Sequence, residues 1–269
     1  MKRLGGIWSR LLSFENLLLA YRKARRGKRS RPGVAEFGLD SERELIALQR
    51  ELDAGEYQPG VYRLFTIYDR KPHVIAAAPS RDRVVHHAVM NVIEPVLDRT
   101  FISDSYACRL GKGVHAAVDR YQAWSQSYRY VLKMDVQHYF PSIDHELLKT
   151  KLRRRIKDRH TIDLLDRIID GSPVVDSDPN YFPGDDLFTS LERRRGIPIG
   201  NLTSQFFANF TWTISITSLS KLWISGRISD MWTIWLSSTT TREDLRKFAP
   251  QFALGWNAIG CGFIPTRRM

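Results

Sequence analysis

The residues best suited to chemistry lie in the run Lys133-Met134-Asp135-Val136-Gln137-His138-Tyr139-Phe140-Pro141-Ser142-Ile143-Asp144-His145. An aspartate on a strand, beside a backbone carbonyl, is a hard-oxygen seat for Mg²⁺. Two such ions can bridge a triphosphate and an attacking hydroxyl oxygen. Asp135 has that setting, with Tyr and Val residues before it and aromatics and the Pro141 turn after it. A strand aspartate alone is more often a structural turn residue, so its meaning depends on its neighbours in the chain. A second chemical feature is the stretch from Arg22 to Arg31, in which seven of ten residues are basic: Arg22, Lys23, Arg25, Arg26, Lys28, Arg29 and Arg31. A solvated tail is one explanation; contacts to a phosphate backbone, which need charge but no sequence reading, are the better one. His86, His87 and His115 lack the spacing of metal ligands and read as core or polar packing.

The elements that must position these groups follow from periodicity. Ser13 can cap a helix through Phe14, Leu17, Leu18 and Tyr21 that continues into the basic run. Ser41 and Glu44 have the spacing of a capping box, Leu45, Leu48 and Leu52 share one face, and Gly55 stands where the helix should stop. Val61 to Ala76 alternates around a polar Asp69-Arg70-Lys71-Pro72 turn and predicts a hairpin, followed by a helix from Val84 to Leu97. Tyr128 to Val136 predicts the strand that carries Asp135. Asp144 caps a further helix whose Leu147, Leu148 and Leu152 should face inward while Lys149, Lys151, Arg153, Arg154 and Arg155 face out. Residues 211–269 differ in kind, with five of the seven Trp, fifteen Ser or Thr and only three acids, and no period persists there. They predict little regular structure.

Composition narrows the class. The 269 residues carry a net charge of +12, with 43% hydrophobic residues, so the chain can bury a core and should attract a polyanion. Nucleic acid is a better expectation than an anionic membrane surface, and no run of about 18 apolar residues is present to span a bilayer. The opening MKRLGGIWSR has no signal-peptide pattern, which predicts a cytoplasmic protein. Two cysteines, Cys108 and Cys261, suggest neither a disulfide framework nor a structural zinc.

Four segments carry a family resemblance. KMDVQHYFPSIDH resembles motif A of bacterial reverse transcriptases, and RRGIPIGNLTSQFFANF at 194–210 resembles their motif B. Upstream, APSRDRVVHHA at 78–88 and FISDSYACRLGKGVHAAVD at 101–119 resemble the fingers motifs of group II intron, retron and diversity-generating retroelement enzymes. The resemblance covers about residues 1–210, in the family's order. It implies that Asp135 is a catalytic Mg²⁺ ligand with the Val136 carbonyl beside it. It implies that Phe140 is a steric gate against a 2′-hydroxyl, selecting deoxynucleotides. Gly196, Pro198, Gly200 and Gln205 match the motif B turn and helix start near the nucleotide. Arg81, Arg83 and Arg109 match fingers positions suited to triphosphate or template phosphate, and Lys112 is an additional nucleic-acid contact or an ordinary surface cation. The implied partners are an RNA template, a DNA primer and deoxynucleoside triphosphates.

The family's next motif, a Tyr-x-Asp-Asp hairpin, should follow motif B and is missing. Gly184-Asp185-Asp186-Leu187 does not replace it, because it precedes motif B and begins in a Pro183-Gly184 surface turn. The genetic code offers an explanation. If codons after Phe210 are read from the third nucleotide of each present codon, Met231-Trp232 forces Val and Trp232-Thr233 forces Asp. Asp230-Met231 then permits Tyr or His, Thr233-Ile234 permits Asp, and Ile234-Trp235 permits Leu or Met, so Tyr-Val-Asp-Asp-Leu is encodable there. The sequence thus predicts an α+β fold: a basic helical extension over 1–60, fingers and an incomplete palm over 61–210, and an out-of-frame tail over 211–269. On this reading the right-hand polymerase fold lacks its motif C hairpin and thumb. The function it predicts is Mg²⁺-dependent reverse transcription by descent, lost in the chain as written. A nucleic-acid-binding fragment and a full enzyme made by ribosomal frameshifting are the alternatives.

Overall fold

A computed structural model of the protein describes residues 3–68, 72–127, 130–136, 139–173, 186, 188, 193–220, 226–231, 233–238 and 263–264. In chain order, four helices come first: α1 (Trp8–Leu12), α2 (Phe14–Ala24), α3 (Pro32–Leu39) and α4 (Ser41–Asp53). Strands β1 (Arg63–Tyr68) and β2 (Pro72–Ala77) precede α5 (Ser80–Leu97) and α6 (Val114–Ser127). Then follow β3 (Tyr130–Val136), α7 (Tyr139–Ser142), α8 (His145–Arg155), α9 (Arg159–Asp170) and α10 (Leu202–Ser220). Strands β4 (Gly226–Met231), β5 (Thr233–Ser238) and β6 (Phe263–Ile264) end the series. The fold is α+β, and the chain forms two compact units.

The first unit joins residues 1–99, 145–177 and 194–207, so both sides of position 60 belong to it. Its core forms where α2 packs on α5, with Leu17, Ala20 and Tyr21 buried on one helix and Val85, Ala88, Val89 and Val92 on the other. Each buried aliphatic side chain contributes roughly 1.5–3 kcal/mol. Asn16 locks the pair: its amide donates to the Leu11 carbonyl at 2.9 Å and the Ala88 carbonyl at 3.1 Å. Ser13 caps α2 as expected, its hydroxyl accepting from the Asn16 amide at 3.2 Å. The helix does not run on through the basic stretch, however. It ends at Ala24, and Arg25 to Arg31 form successive turns that lead to Pro32 at the start of α3.

Helix α4 buries Leu45, Leu48 and Leu52 and stops before Gly55, whose φ of +68° is the left-handed stop the sequence requires. Its capping box does not form. Asp40 is the N-cap because α3 ends immediately before it, so Ser41 is already helical and cannot cap. The β1–β2 hairpin is antiparallel with Arg63 opposite Ala77 and Phe65 opposite Ile75, and its turn residues 69–71 lie outside the described residues. At the other end of the unit, Asp158 caps α9. One carboxylate oxygen accepts from Thr161, and the other accepts from the amides of Ile7 and Trp8 at 3.1 and 3.3 Å.

Helix α8 corrects two expectations. Leu147 is 41% exposed, whereas Lys149 is buried, its ammonium 2.9 Å from the Asp170 carboxylate. Helix α9 packs on α8, so the face turned towards it must be decided by what α9 offers. What it offers is Asp170 at its last position.

The second unit contains residues 100–144, 178–193 and 208–269. Strand β3 is central in a sheet of order β4-β5-β3-β6. The hairpin expected to be absent beside β3 is present as backbone: β4 and β5 pair antiparallel, and β5 pairs with β3. Ladder pairing asks only for extended, β-tolerant residues such as Ile228, Ile234 and Leu236, not for carboxylates. Helix α10 likewise passes Phe210 and continues to Ser220.

Candidate functional site

The motif B turn is built by three contacts within the first unit. The Ala76 amide donates to the Ile199 carbonyl at 3.1 Å, and the buried Asn201 amide returns a bond to the Ala76 carbonyl at 3.1 Å. Between them Gly200 has a φ of +109°, and a Cβ there would lie 2.8 Å from Ile75 Cγ2. The glycine is therefore required twice, for its torsion and for the close approach of the turn to β2. Gly196 also has a positive φ, of +96°, and Pro198 is buried. Gln205 sits half-buried in the first turn of α10, its amide donating to the Asn201 carbonyl.

Beneath this turn lies a polar cluster that sequence inspection overlooked. His145, 1% exposed, donates from Nε2 to the Gly196 carbonyl at 2.7 Å, the only role open to a ring nitrogen facing a carbonyl oxygen. Its backbone amide donates to the Arg194 carbonyl at 3.1 Å. Asp170 faces His145 Nδ1 at 3.6 Å and also receives Lys149. Burial works against the Lys149 charge, but bonds to Asp170 and Glu146 outweigh it and hold the ammonium pKa above its ordinary value. The signal available in sequence was the position of His145, the first residue of α8, directly after Asp144.

The fingers residues divide by what they already hold. Arg81 is ion-paired with Glu51 and stands over the Tyr57 ring at 5.4 Å. Next to it Asp82 is buried, accepting from the Tyr57 hydroxyl at 3.0 Å and the Gly60 amide at 2.7 Å, so this pair anchors the segment before the hairpin. Arg83, by contrast, faces Arg31 and Arg63. Burial first, and these two cations next, pull its guanidinium below its ordinary pKa. Of the basic stretch, Lys28 joins Arg31 in that neighbourhood, depressed by burial and by Arg83 and Arg31. Arg22, Lys23, Arg26 and Arg29 are exposed, while Arg25 stacks over Tyr21 at 5.0 Å. His86 is a core residue, as its position predicts; burial pushes its pKa down to about 3.

In the second unit, Arg109 donates to the carbonyls of Ile102 at 2.8 Å and Ser105 at 3.0 Å and covers Phe101. Lys112 donates to the Ser103 carbonyl at 2.7 Å and lies 4.9 Å from the Tyr106 ring centre. Both cations brace their own loop. Phe140, half-buried on α7, meets Tyr139 edge-on at 6.0 Å, and the Tyr139 hydroxyl donates to the Ala208 carbonyl at 2.7 Å. Asp135 and Val136 lie on β3 with their side chains outside the described residues; in the ladder Asp135 is the partner of Thr233 and Ile264.

Among the described residues, the strands beside β3 offer Asp135 no second carboxylate with which to hold two Mg²⁺ ions. The neighbouring strand β5 reads Thr-Ile-Trp-Leu-Ser-Ser, without an acid, and Asp230 on β4 lies one strand further away. Among the described residues no three His, Cys, Asp or Glu side chains group as a metal site, and no helix is long and apolar enough to cross a membrane.

No protein-family model matches the chain. Among curated proteins it is 27% identical over 197 residues to Protein YkfC of Escherichia coli strain K12, covering 70% of this chain and 49% of that protein. It is 22% identical over 204 residues to the putative COX1/OXI3 intron 1 protein of Saccharomyces cerevisiae, covering 74% of this chain and 23% of the relative. Nuclear intron maturase 1, mitochondrial, of Arabidopsis thaliana matches 86 residues at 27% identity, 32% of this chain and 12% of that one. The chain thus spans half or less of the length of these relatives. Among solved structures, a chain of the partial Cas6-RT-Cas1–Cas2 complex aligns with 93% of this chain and 42% of its own length, at a TM-score of 0.46 and 18% identity. The chain is thus similar to proteins of the intron-protein and maturase kind, and its four motifs stand in the order found in bacterial reverse transcriptases, which supports a reverse-transcriptase-like family.

Proposed function

We propose that the chain descends from an RNA-directed DNA polymerase and, as written, does not extend a primer. In this reading Asp135 and the Val136 carbonyl are the surviving half of the Mg²⁺ seat. Phe140 is the gate against a ribose hydroxyl, and Gly200 and Gln205 border the incoming deoxynucleotide. The observation that carries the reading is the ladder register. Thr233 is the partner of Asp135, and when the lost nucleotide is restored near codon 210, position 233 becomes the first aspartate of Tyr-Val-Asp-Asp. A carboxylate there would stand on the strand adjacent to Asp135, as two-metal chemistry needs. Bound Mg²⁺ would supply charge stabilisation at the transferring phosphate.

The test is primer extension on an RNA template with Mg²⁺, using the chain, a frame-restored version, and Asp135→Ala in each. Extension by the restored version alone, abolished by Asp135→Ala, is expected. Extension by the chain as written would overturn the proposal of inactivity. If ribosomal slippage supplies the full enzyme in cells, a product longer than the 31.1 kDa chain will contain the shifted peptide. A second reading, a non-catalytic nucleic-acid-binding fragment, is favoured by the net charge of +12 and by the grouping of Arg31, Arg63 and Arg83 in the first unit.

A further inference from the structure

The segment from Arg194 to Asn201 is held from two sides within the first unit. Its later half is tied to β2 through the Ile199 carbonyl and the Asn201 side chain. Its earlier half rests on the start of α8 and the end of α9. The His145 amide donates to the Arg194 carbonyl, His145 Nε2 donates to the Gly196 carbonyl at 2.7 Å, and the Arg194 guanidinium donates to the Asp170 carbonyl at 2.6 Å. Between the halves lie Ile197 and Pro198, both buried. Proline fixes its own φ, so this joint has little slack, and a shift of the Gly196 carbonyl is passed on to Ile199 and Gly200. The two ring nitrogens of His145 are unequal. Nε2 carries the turn, whereas the buried Nδ1 has no hydrogen-bond partner among the described residues. The Asp170 carboxylate stands 3.6 Å from Nδ1 and is itself held by Lys149 at 2.7 Å. A buried polar atom left unsatisfied is costly, and a leucine would fill the space without that cost. What a leucine lacks is the donor to the Gly196 carbonyl, and Gly196 is buried too.

We propose that His145 is a positioning residue for the deoxynucleotide site: through Nε2 it fixes the Gly196 carbonyl, and with it the course of the motif B turn up to Gly200 and Gln205. The inference rests on the polymerase reading for the identity of the ligand, while the hold on the turn belongs to this chain as written. Two substitutions separate the ring nitrogens, because Gln carries its amide nitrogen near the place of Nε2 and Asn near that of Nδ1. Hydrogen exchange in the full chain reads the turn at the Ala76 and Gln205 amides, which donate to Ile199 and Asn201. The Leu17 amide, bonded to the Ser13 carbonyl, is the reference. His145→Asn should speed exchange about tenfold at Ala76 and Gln205 but not at Leu17, and His145→Gln should stay within about twofold of wild type. Equal acceleration by Asn and Gln, or none by Asn, would overturn the proposal. The wild-type chain offers a measurement that needs no variant: ¹⁵N-resolved imidazole spectra should place a proton on His145 Nε2, and a bare Nε2 would refute the assignment. In the frame-restored enzyme His145→Asn should raise KM for deoxynucleotide about fivefold with kcat within about twofold, and His145→Gln should restore it. A merely structural residue would lower the active fraction, and so kcat, without moving KM; that result would remove the nucleotide role. If the restored enzyme extends no primer, the polymerase reading and the nucleotide role fall together, and exchange alone decides the hold on the turn.

Discussion

Replacing Gly200 by Ala tests whether the motif B turn is held by close approach to the hairpin. At φ +109° a Cβ is strained, at a cost of about 1–3 kcal/mol. The new methyl would also meet Ile75 Cγ2 at 2.8 Å, and relieving that contact by shifting a packed side chain costs about 1–3 kcal/mol more. Loss of about 2–6 kcal/mol is therefore expected, a large share of the ~5–15 kcal/mol typical of a domain. Gly55→Ala is the control: its φ is +68°, but its nearest neighbour, Arg167 Nη2, is 4.0 Å away, so only torsional strain of about 1 kcal/mol applies. Urea unfolding gives both values, and hydrogen exchange at the Ala76 amide reports the turn directly, since that amide donates to Ile199. Gly200→Ala with Ile75→Ala should recover the steric part only. The reasoning is refuted if Gly200→Ala costs no more than Gly55→Ala, or if exchange at Ala76 is unchanged.

Burial keeps His86 neutral in the folded chain down to about pH 3, while in the unfolded chain it takes up a proton near pH 6.5. Between those values the unfolded state binds more protons, so stability falls as pH falls, by up to about 1.4 kcal/mol per unit. His86→Leu should reduce the slope of a series of melts between pH 7 and 4, leaving the part due to His87, whose pKa burial first and Lys23 and Lys28 next push down to about 4. Burial tends to raise the Asp158 pKa, but its hydrogen bonds outweigh this and hold the carboxyl below the ordinary carboxylate range. Its stabilisation is complete above the ordinary range and lost as pH falls through the lower folded value. Asp158→Ala should cost about 0.5–2 kcal/mol at neutral pH in denaturant titrations, as for other helix caps. Lys149→Met leaves the Asp170 carboxylate, which faces His145, with only the Arg194 guanidinium at 4.0 Å as a counter-charge and should destabilise by roughly 1–3 kcal/mol. Leu147→Gln, two residues earlier and 41% exposed, should stay within about 0.5 kcal/mol in the same assay.

Local rules carried a good part of this molecule. A period of 3.6 located α4 and its buried Leu45, Leu48 and Leu52, alternation located the hairpin, and Ser13 and Gly55 marked a helix start and a stop. Each depends on a few adjacent residues and their allowed torsions. The order of the motifs, and the codon pattern across Met231 to Thr233, are also properties of the linear chain. Tertiary structure decided whatever depends on a partner distant in sequence. Lys149 turned inward because α9 presents Asp170, and Ser41 lost its capping role because α3 ends against it. Arg81 was taken by Glu51, while Arg83 was left to Arg31 and Arg63. His145 became the prop of the Gly196 carbonyl, across 51 residues of chain. A side chain's periodicity says which way it can face. The charge or cavity it meets there is supplied by other segments, and so the electrostatics of the candidate site appear only once those segments are packed.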